Sequence, residues 1–205
     1  MQEDFKSQSP KMEARNNFAV AHAGSIFETV NWEDGHGLKL EAVRRSPGAR
    51  LMIETEKDGM KALLMTREIR REANGYDIRL PGGKVFDSLK DFQEYEKSRK
   101  DILPVAEAAA KKEGKEEAGI SGGEYSLFEV SKAGASVEWD LFYFRVVGAE
   151  IGEQELEKGE MGKIETITLS AKEIFEKLSK REIKEGRSAD MLWRWLNENG
   201  FIKFA

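Results

Sequence analysis

The chain contains no cysteine, so neither a disulfide framework nor a thiolate metal site is available, and the fold must rest on packing. Histidine is scarce too: His22 and His36 do not form a ligand pair. No apolar run approaches the roughly 18 residues needed to span a bilayer. The opening stretch MQEDFKSQSPKMEARNN is polar and has no apolar signal region, which leads to the expectation of no membrane association and a cytoplasmic location. A basic excess is also missing. The net charge of -5 argues against broad electrostatic binding to nucleic acid or to anionic lipid.

What is present is a soluble composition, 40% hydrophobic and 35% charged, on a chain of 205 residues, long enough for one well-buried core. Residues 1–16 read as a flexible tail and residues 17–205 as one domain. FAVAHAGSIFETVNW and GLKLEAVRR read as N-terminal strands separated by the turn-forming EDGHG. In ARLMIETEKDGMKALLMTR, two apolar runs flank Asp58-Gly59, a pair that suits a hairpin turn because both residues tolerate positive φ.

YDIRLPGGK brings a short strand into Gly82-Gly83, and FDSLKDFQEYEKSRKDILP then reads as a charged, inserted helix near 86–103 that ends before Pro104. A second helix runs from about Val105 to Ala118 and stops at Gly119. SLFEVSKAG, VEWDLFYFRVV and IETITLS supply further strands. Ser170 and Ser188 are candidate caps for two closing helices. Strands on both sides of a helix, with more helix at the end, give a mixed α/β or α+β domain.

The chemistry concentrates in AAAKKEGKEEAGI. On a helix, Glu113, Glu116 and Glu117 stand at i, i+3 and i+4 and share one face, where like charges repel and a cation is wanted. Hard divalent cations such as Mg²⁺ take a few carboxylates together with substrate phosphates and water. A solvated face held by lysines is the alternative for any Glu-rich stretch.

These residues resemble the Nudix box. KEGKEEAGI matches its second half, with Lys112 standing for the box Arg and Gly114 where an apolar residue is usual, and LPGGK matches its approach. ALLMTREIRREANGYDIRLPGGK and the order of the later segments are most similar to the ADP-ribose pyrophosphatase branch, over roughly residues 38–196. The resemblance implies a Nudix α/β/α sandwich with a mixed sheet and an N-terminal strand extension. It implies a Mg²⁺-dependent enzyme, with Mn²⁺ as the alternative metal, that hydrolyses a small-molecule nucleotide of the ADP-ribose kind at its diphosphate, with a homodimer through the N-terminal strands.

By position in that pattern, Glu113 and Glu117 are the principal metal ligands, with Glu116 and the Gly82 carbonyl as further ones. Arg67 and Arg70 face the substrate, Lys112 orients the helix, and Glu160 in the acidic loop GEQELEKGEMGK positions or deprotonates the attacking water. Glu153, Glu155 and Glu157 are rivals to Glu160 in the same loop.

The interval from Gly83 to Lys112 is 15 residues longer than the box allows. The first box Glu falls on Leu89, for which Glu94, Asp101 or Glu107 could substitute. Gly114 leaves a gap inside the helix that Phe92 or Tyr95 of the insertion is placed to fill. This splitting motivates a second expectation, a Nudix-fold module that binds a nucleotide as sensor or regulator without cleaving it. A structural protein whose charged helices bind partners is a third, and it leaves Gly82-Gly83 and the Glu spacing as coincidence.

Overall fold

The computed structural model describes residues 18–33, 39–156, 158–159 and 161–203. The expected tail and most of the EDGHG turn lie outside them. Two sheets form. The smaller consists of β1 (Phe18–Ala23), β2 (Phe27–Glu33) and β3 (Lys39–Arg45) as an antiparallel meander, with β8 (Val137–Glu138) parallel to β3.

The larger sheet holds β4 (Gly48–Lys57), β5 (Met60–Arg70), β6 (Gly75–Arg79), β7 (Ile120–Ser131), β9 (Leu141–Ile151) and β10 (Ile164–Ser170). Its order is β10-β5-β4-β9-β7, with β6 on β5. The β4–β9 pair is parallel and the rest antiparallel. The hairpin at Asp58-Gly59 is present, with both residues at positive φ (53° and 72°) and Lys57 opposite Met60.

The alternation of β-strand side chains decides the layers. In β4, Leu51 and Ile53 face one way and Met52 the other; in β9, Phe142, Phe144 and Val146 oppose Leu141 and Tyr143. The Leu51 face is covered by α2 (Leu103–Ala118). The Met52 face is covered by α3 (Ala171–Ser179) and α4 (Gly186–Glu198). The result is the mixed α/β/α arrangement expected from the sequence, with the N-terminal strands as a separate sheet. Among the described residues, no helix is long and apolar enough to cross a membrane.

The inserted helix α1 (Leu89–Ser98) ends earlier than the proline implies, at Arg99 in the left-handed conformation, and Pro104 instead occupies the first turn of α2, where its missing N–H costs nothing. α1 packs against the small sheet. Buried Arg44 lies between buried Glu28 and Glu96 of α1, 2.6 Å from the latter, and Gln93 donates to Glu28. Breaking one partner of such a network would strand a buried charge.

Ser170 caps α3 in a full capping box with Glu173. The expectation for Ser188 is corrected. Glu185 caps α4, accepting from the Arg187 and Ser188 amides, while the Ser188 hydroxyl is buried 3.4 Å from Tyr143 Oη. Ser188 lies inside the first turn of α4, where its own amide is one of the groups that Glu185 caps.

Candidate functional site

α2 approaches the sheet through Ala106, Ala110, Gly114 and Ala118, one small residue per turn, all buried. A Cβ on Gly114 would lie 3.0 Å from Leu51 Cδ1 and 3.1 Å from Ile120 Cδ1. Leu51 and Ile120 therefore fill the position, and Phe92 and Tyr95 do not. Those two rings pack on Phe86, at 5.6 and 5.1 Å between centroids. The close approach is what Gly114 provides in exchange for its helix penalty of about 1 kcal/mol.

The same approach brings the carboxylates onto the Gly82-Gly83 loop. That loop runs along β4: Leu51 N–H donates to the Pro81 carbonyl (2.9 Å) and Ala49 N–H to that of Gly83 (3.0 Å). Gly82 has φ +141°, a conformation for glycine, and a Cβ there would sit 2.2 Å from the Ala49 carbonyl oxygen. The Gly82 N–H donates to Glu117 Oε2 at 2.7 Å. Glu113 lies against Gly83 so closely that a Cβ on that glycine would be 2.0 Å from Glu113 Oε1. Of the expected ligands, Glu117 is thus hydrogen-bonded to the loop and Glu113 packs against it.

Glu117 is only 5% exposed, and its carboxyl is pushed up to about 8. Burial is the main cause. The Gly82 hydrogen bond opposes it, the charges of Glu68 and Glu113 add to it, and Arg50 offsets part. Sequence reasoning missed Glu68. It projects inward from β5, 3% exposed, with Thr66 Oγ1 donating to it at 2.6 Å and Arg70 paired with it. Strand alternation carried the signal, because Thr66 and Glu68 alternate with exposed Arg67 and Ile69.

The same alternation separates the two expected substrate arginines. Arg67 points outward, pairs with Glu165 across the strand (2.6 Å) and stacks on Tyr76 (4.8 Å), while Arg70 is committed to Glu68. They do not converge. Glu116 is partly exposed and 3.6 Å from Lys112 Nζ, an i,i+4 pair within α2. At this exposure such a pair contributes about 0.3–0.5 kcal/mol.

Leu89, at the expected first Glu position, is buried as the first residue of α1. Glu94 pairs weakly with Lys90 at 3.9 Å, Asp101 accepts from the Leu103 amide, and Glu107 pairs with Lys111. Each of the three has a local role, and the acid beside Glu117 is Glu68 instead.

The acidic loop docks on the end of α2. Gly152 N–H donates to Gly119 O (2.7 Å), Glu155 N–H to Glu116 O (3.0 Å), and Gln154 to Glu117 O. Glu155 pairs with Lys115 at 3.0 Å and Glu153 is exposed. Glu157 and Glu160 lie outside the described residues. A cleft of about 470 Å³ opens beside this loop, lined by Glu153, Gln154, Leu156, Met161 and Thr166.

Among the described residues no three His, Asp or Glu side chains gather into a metal cage. The donor set nonetheless suits a hard cation. It is all oxygen, holds like charges together, and offers the few carboxylates that Mg²⁺ uses alongside phosphate and water. Pro81 and Gly83 spend their carbonyls on β4, and among the described residues no hydrogen bond takes that of Gly82.

No protein-family model matches the sequence. No curated protein matches it either. The structure is similar to a solved one described as "Crystal structure of ADP compounds hydrolase", with a TM-score of 0.60 and 18% sequence identity over 91% of this chain and 95% of that one. At that identity the likeness establishes a shared fold.

Proposed function

We propose that this chain is a Nudix-type hydrolase that cleaves a nucleoside diphosphate derivative of the ADP-ribose kind at its diphosphate, with Mg²⁺ or Mn²⁺. The observation that carries the reading is the hydrogen bond of Glu117 to the Gly82 N–H with Glu113 against Gly83, which crowds like charge that a cation would relieve. The fold shared with a hydrolase of ADP compounds supports it.

In this reading Glu113 and Glu117 hold the metal, with Glu116 and the Gly82 carbonyl as further donors. The bound ion supplies charge neutralisation to a diphosphate whose anionic oxygens repel a nucleophile. The chain's own residues do the rest. The Gly82 N–H fixes the Glu117 carboxylate, Gln154 ties the acidic loop to the end of α2, and Glu160 in that loop takes the proton of the attacking water. Arg67, exposed, paired with exposed Glu165 and stacked on Tyr76, is available to a phosphate; Arg70 serves by holding Glu68. Lys112 steadies Glu116. A homodimer through the N-terminal strands belongs to the same reading, β1 being an edge of its sheet.

The buried Leu89 at the expected first Glu position favours the second reading, a nucleotide-binding sensor without turnover. Mononucleotide release from a panel of dinucleotides and nucleotide sugars, with Mg²⁺ and with chelator, separates the two. Mg²⁺-dependent release from at least one ADP compound is expected. Tight binding without release across the panel would transfer the chain to the sensor reading.

A further inference from the structure

A cluster of cations lies next to the carboxylates of α2 and touches the site described above only through the charge of Arg50 on Glu117. Trp139 stands at the turn from β8 into β9, above Gly48: the Gly48 N–H donates to the Asp140 carbonyl at 2.9 Å, and a Cβ on Gly48 would come 3.7 Å from Trp139 Nε1. The Arg45 guanidinium is 4.4 Å from the centre of the Trp139 ring and that of Arg187 is 4.2 Å from it. Arg50 follows on β4, where a Cβ on Gly82 would be 3.0 Å from its Cα.

The charges in this cluster are not balanced. Arg45 is held below the usual guanidinium range by burial first, then by the repulsion of Arg50 and of Arg187. Glu185, at 3.4 Å, offsets Arg187 alone. Arg50 donates to its neighbour's carbonyl, Ala49 O, at 2.9 Å, and among the described residues neither Arg45 nor Arg50 pairs with an acidic side chain. Two buried donors, Arg45 Nε and Trp139 Nε1, also have no acceptor. Buried donors without acceptors are costly and uncommon, and they occur together here with like charges that Glu185, beside Arg187, and Glu117, acting on Arg50, offset only in part. All four residues are only partly buried.

We propose that Arg45, Arg50 and Arg187, gathered around Trp139, form a subsite for a phosphoryl oxyanion beside the α2 carboxylates. Three guanidiniums, offset by Glu185 and in part by Glu117, leave an excess of positive charge that suits an oxyanion, and the guanidinium fork matches phosphate oxygens in pairs. Only the source of that phosphoryl group rests on the hydrolase reading. It is either part of the substrate or a separate phosphate such as a product, and the binding itself needs no metal.

The test is a calorimetric titration of metal-free protein with inorganic pyrophosphate, in chelator and at low salt. The parent is expected to bind. Arg50→Gln should weaken binding at least about tenfold, as the loss of a charge-assisted contact implies. Arg50→Lys, which keeps the charge but loses the fork, should fall between them and serves as the informative variant if Arg50→Gln fails to fold. Lys111→Gln, on the exposed side of α2, should leave binding unchanged.

Competition by ADP-ribose in the same chelated buffer would assign the phosphoryl group to the substrate; absence of competition would assign it to a separate phosphate. Failure of the parent to bind pyrophosphate, or parent-like binding by a folded Arg50→Gln, would overturn the subsite. A panel showing no hydrolysis would leave a positive titration standing, because the titration contains no metal and requires no turnover.

Discussion

Replacing Glu117 by Gln should make the metal-free protein more stable at alkaline pH, and the size of the gain follows from where the carboxyl sits. Glu117 is buried beside Glu68 and Glu113, which pushes it from its usual value near 4.5 to about 8. Between those values the folded chain binds a proton that the unfolded chain has released. Stability is therefore fully present below about 4.5, falls as pH rises, and levels off above about 8. At about 1.4 kcal/mol per unit the loss across the interval is on the order of 4 kcal/mol.

Urea unfolding in chelator, at about pH 5 and about pH 9, measures that loss. The parent should lose stability on the order of 4 kcal/mol, while Glu117→Gln, which keeps an acceptor for the Gly82 N–H, should lose little. Saturating Mg²⁺ should restore most of the parent's stability at the higher pH, since a ligand that binds only the folded chain stabilises it by mass action. A parent curve that is flat between the two pH values, or a variant that follows the parent, would refute the argument that these acids are clustered at a cost.

Other substitutions probe the contacts around the same site. Gly83→Ala should leave the fold intact but displace Glu113, the flexible group its Cβ would meet, lowering Mg²⁺ affinity at an unchanged unfolding midpoint. Gly82→Ala should instead destabilise by roughly 1–3 kcal/mol or more, because the obstacle is the Ala49 backbone and φ is +141°. Gly114→Ala gains about 1 kcal/mol of helix propensity but crowds fully buried Leu51 and Ile120, at about 1–3 kcal/mol for overpacking. Thermal denaturation should show a net loss. Glu160→Gln should lower kcat by about 10²- to 10⁴-fold with KM and metal affinity near the parent's, as steady-state kinetics would show.

The parts of this site that lie on one element were legible in the sequence. Helix geometry alone places Glu113 and Glu117 on a shared face, and two adjacent glycines after a strand signal close backbone approach. What fills the space at Gly114 was not legible, because Leu51 and Ile120 come from β4 and β7 and only tertiary packing brings them to α2. Glu68 could have been found from strand alternation, yet its closeness to Glu117 depends on how α2 crosses the sheet. Pairing Arg67 with Arg70 failed on the period of two, which sends residues three apart to opposite faces of a strand. The fold class followed from the order of elements. The docking of α1 on the small sheet did not, since Arg44, Glu28 and Glu96 are joined only by the fold.

The central claim is that Glu113 and Glu117, held on Gly82-Gly83, form a divalent-metal site that turnover requires. Mn²⁺ binding followed by electron paramagnetic resonance, with mononucleotide release from ADP-ribose measured on the same samples, tests it most directly. The account predicts that the parent binds Mn²⁺ and cleaves ADP-ribose. It further predicts that folded Glu113→Gln and Glu117→Gln each lose Mn²⁺ affinity and that cleavage falls with it. Unchanged Mn²⁺ affinity in both variants, or cleavage by the parent that persists in chelator, would contradict it.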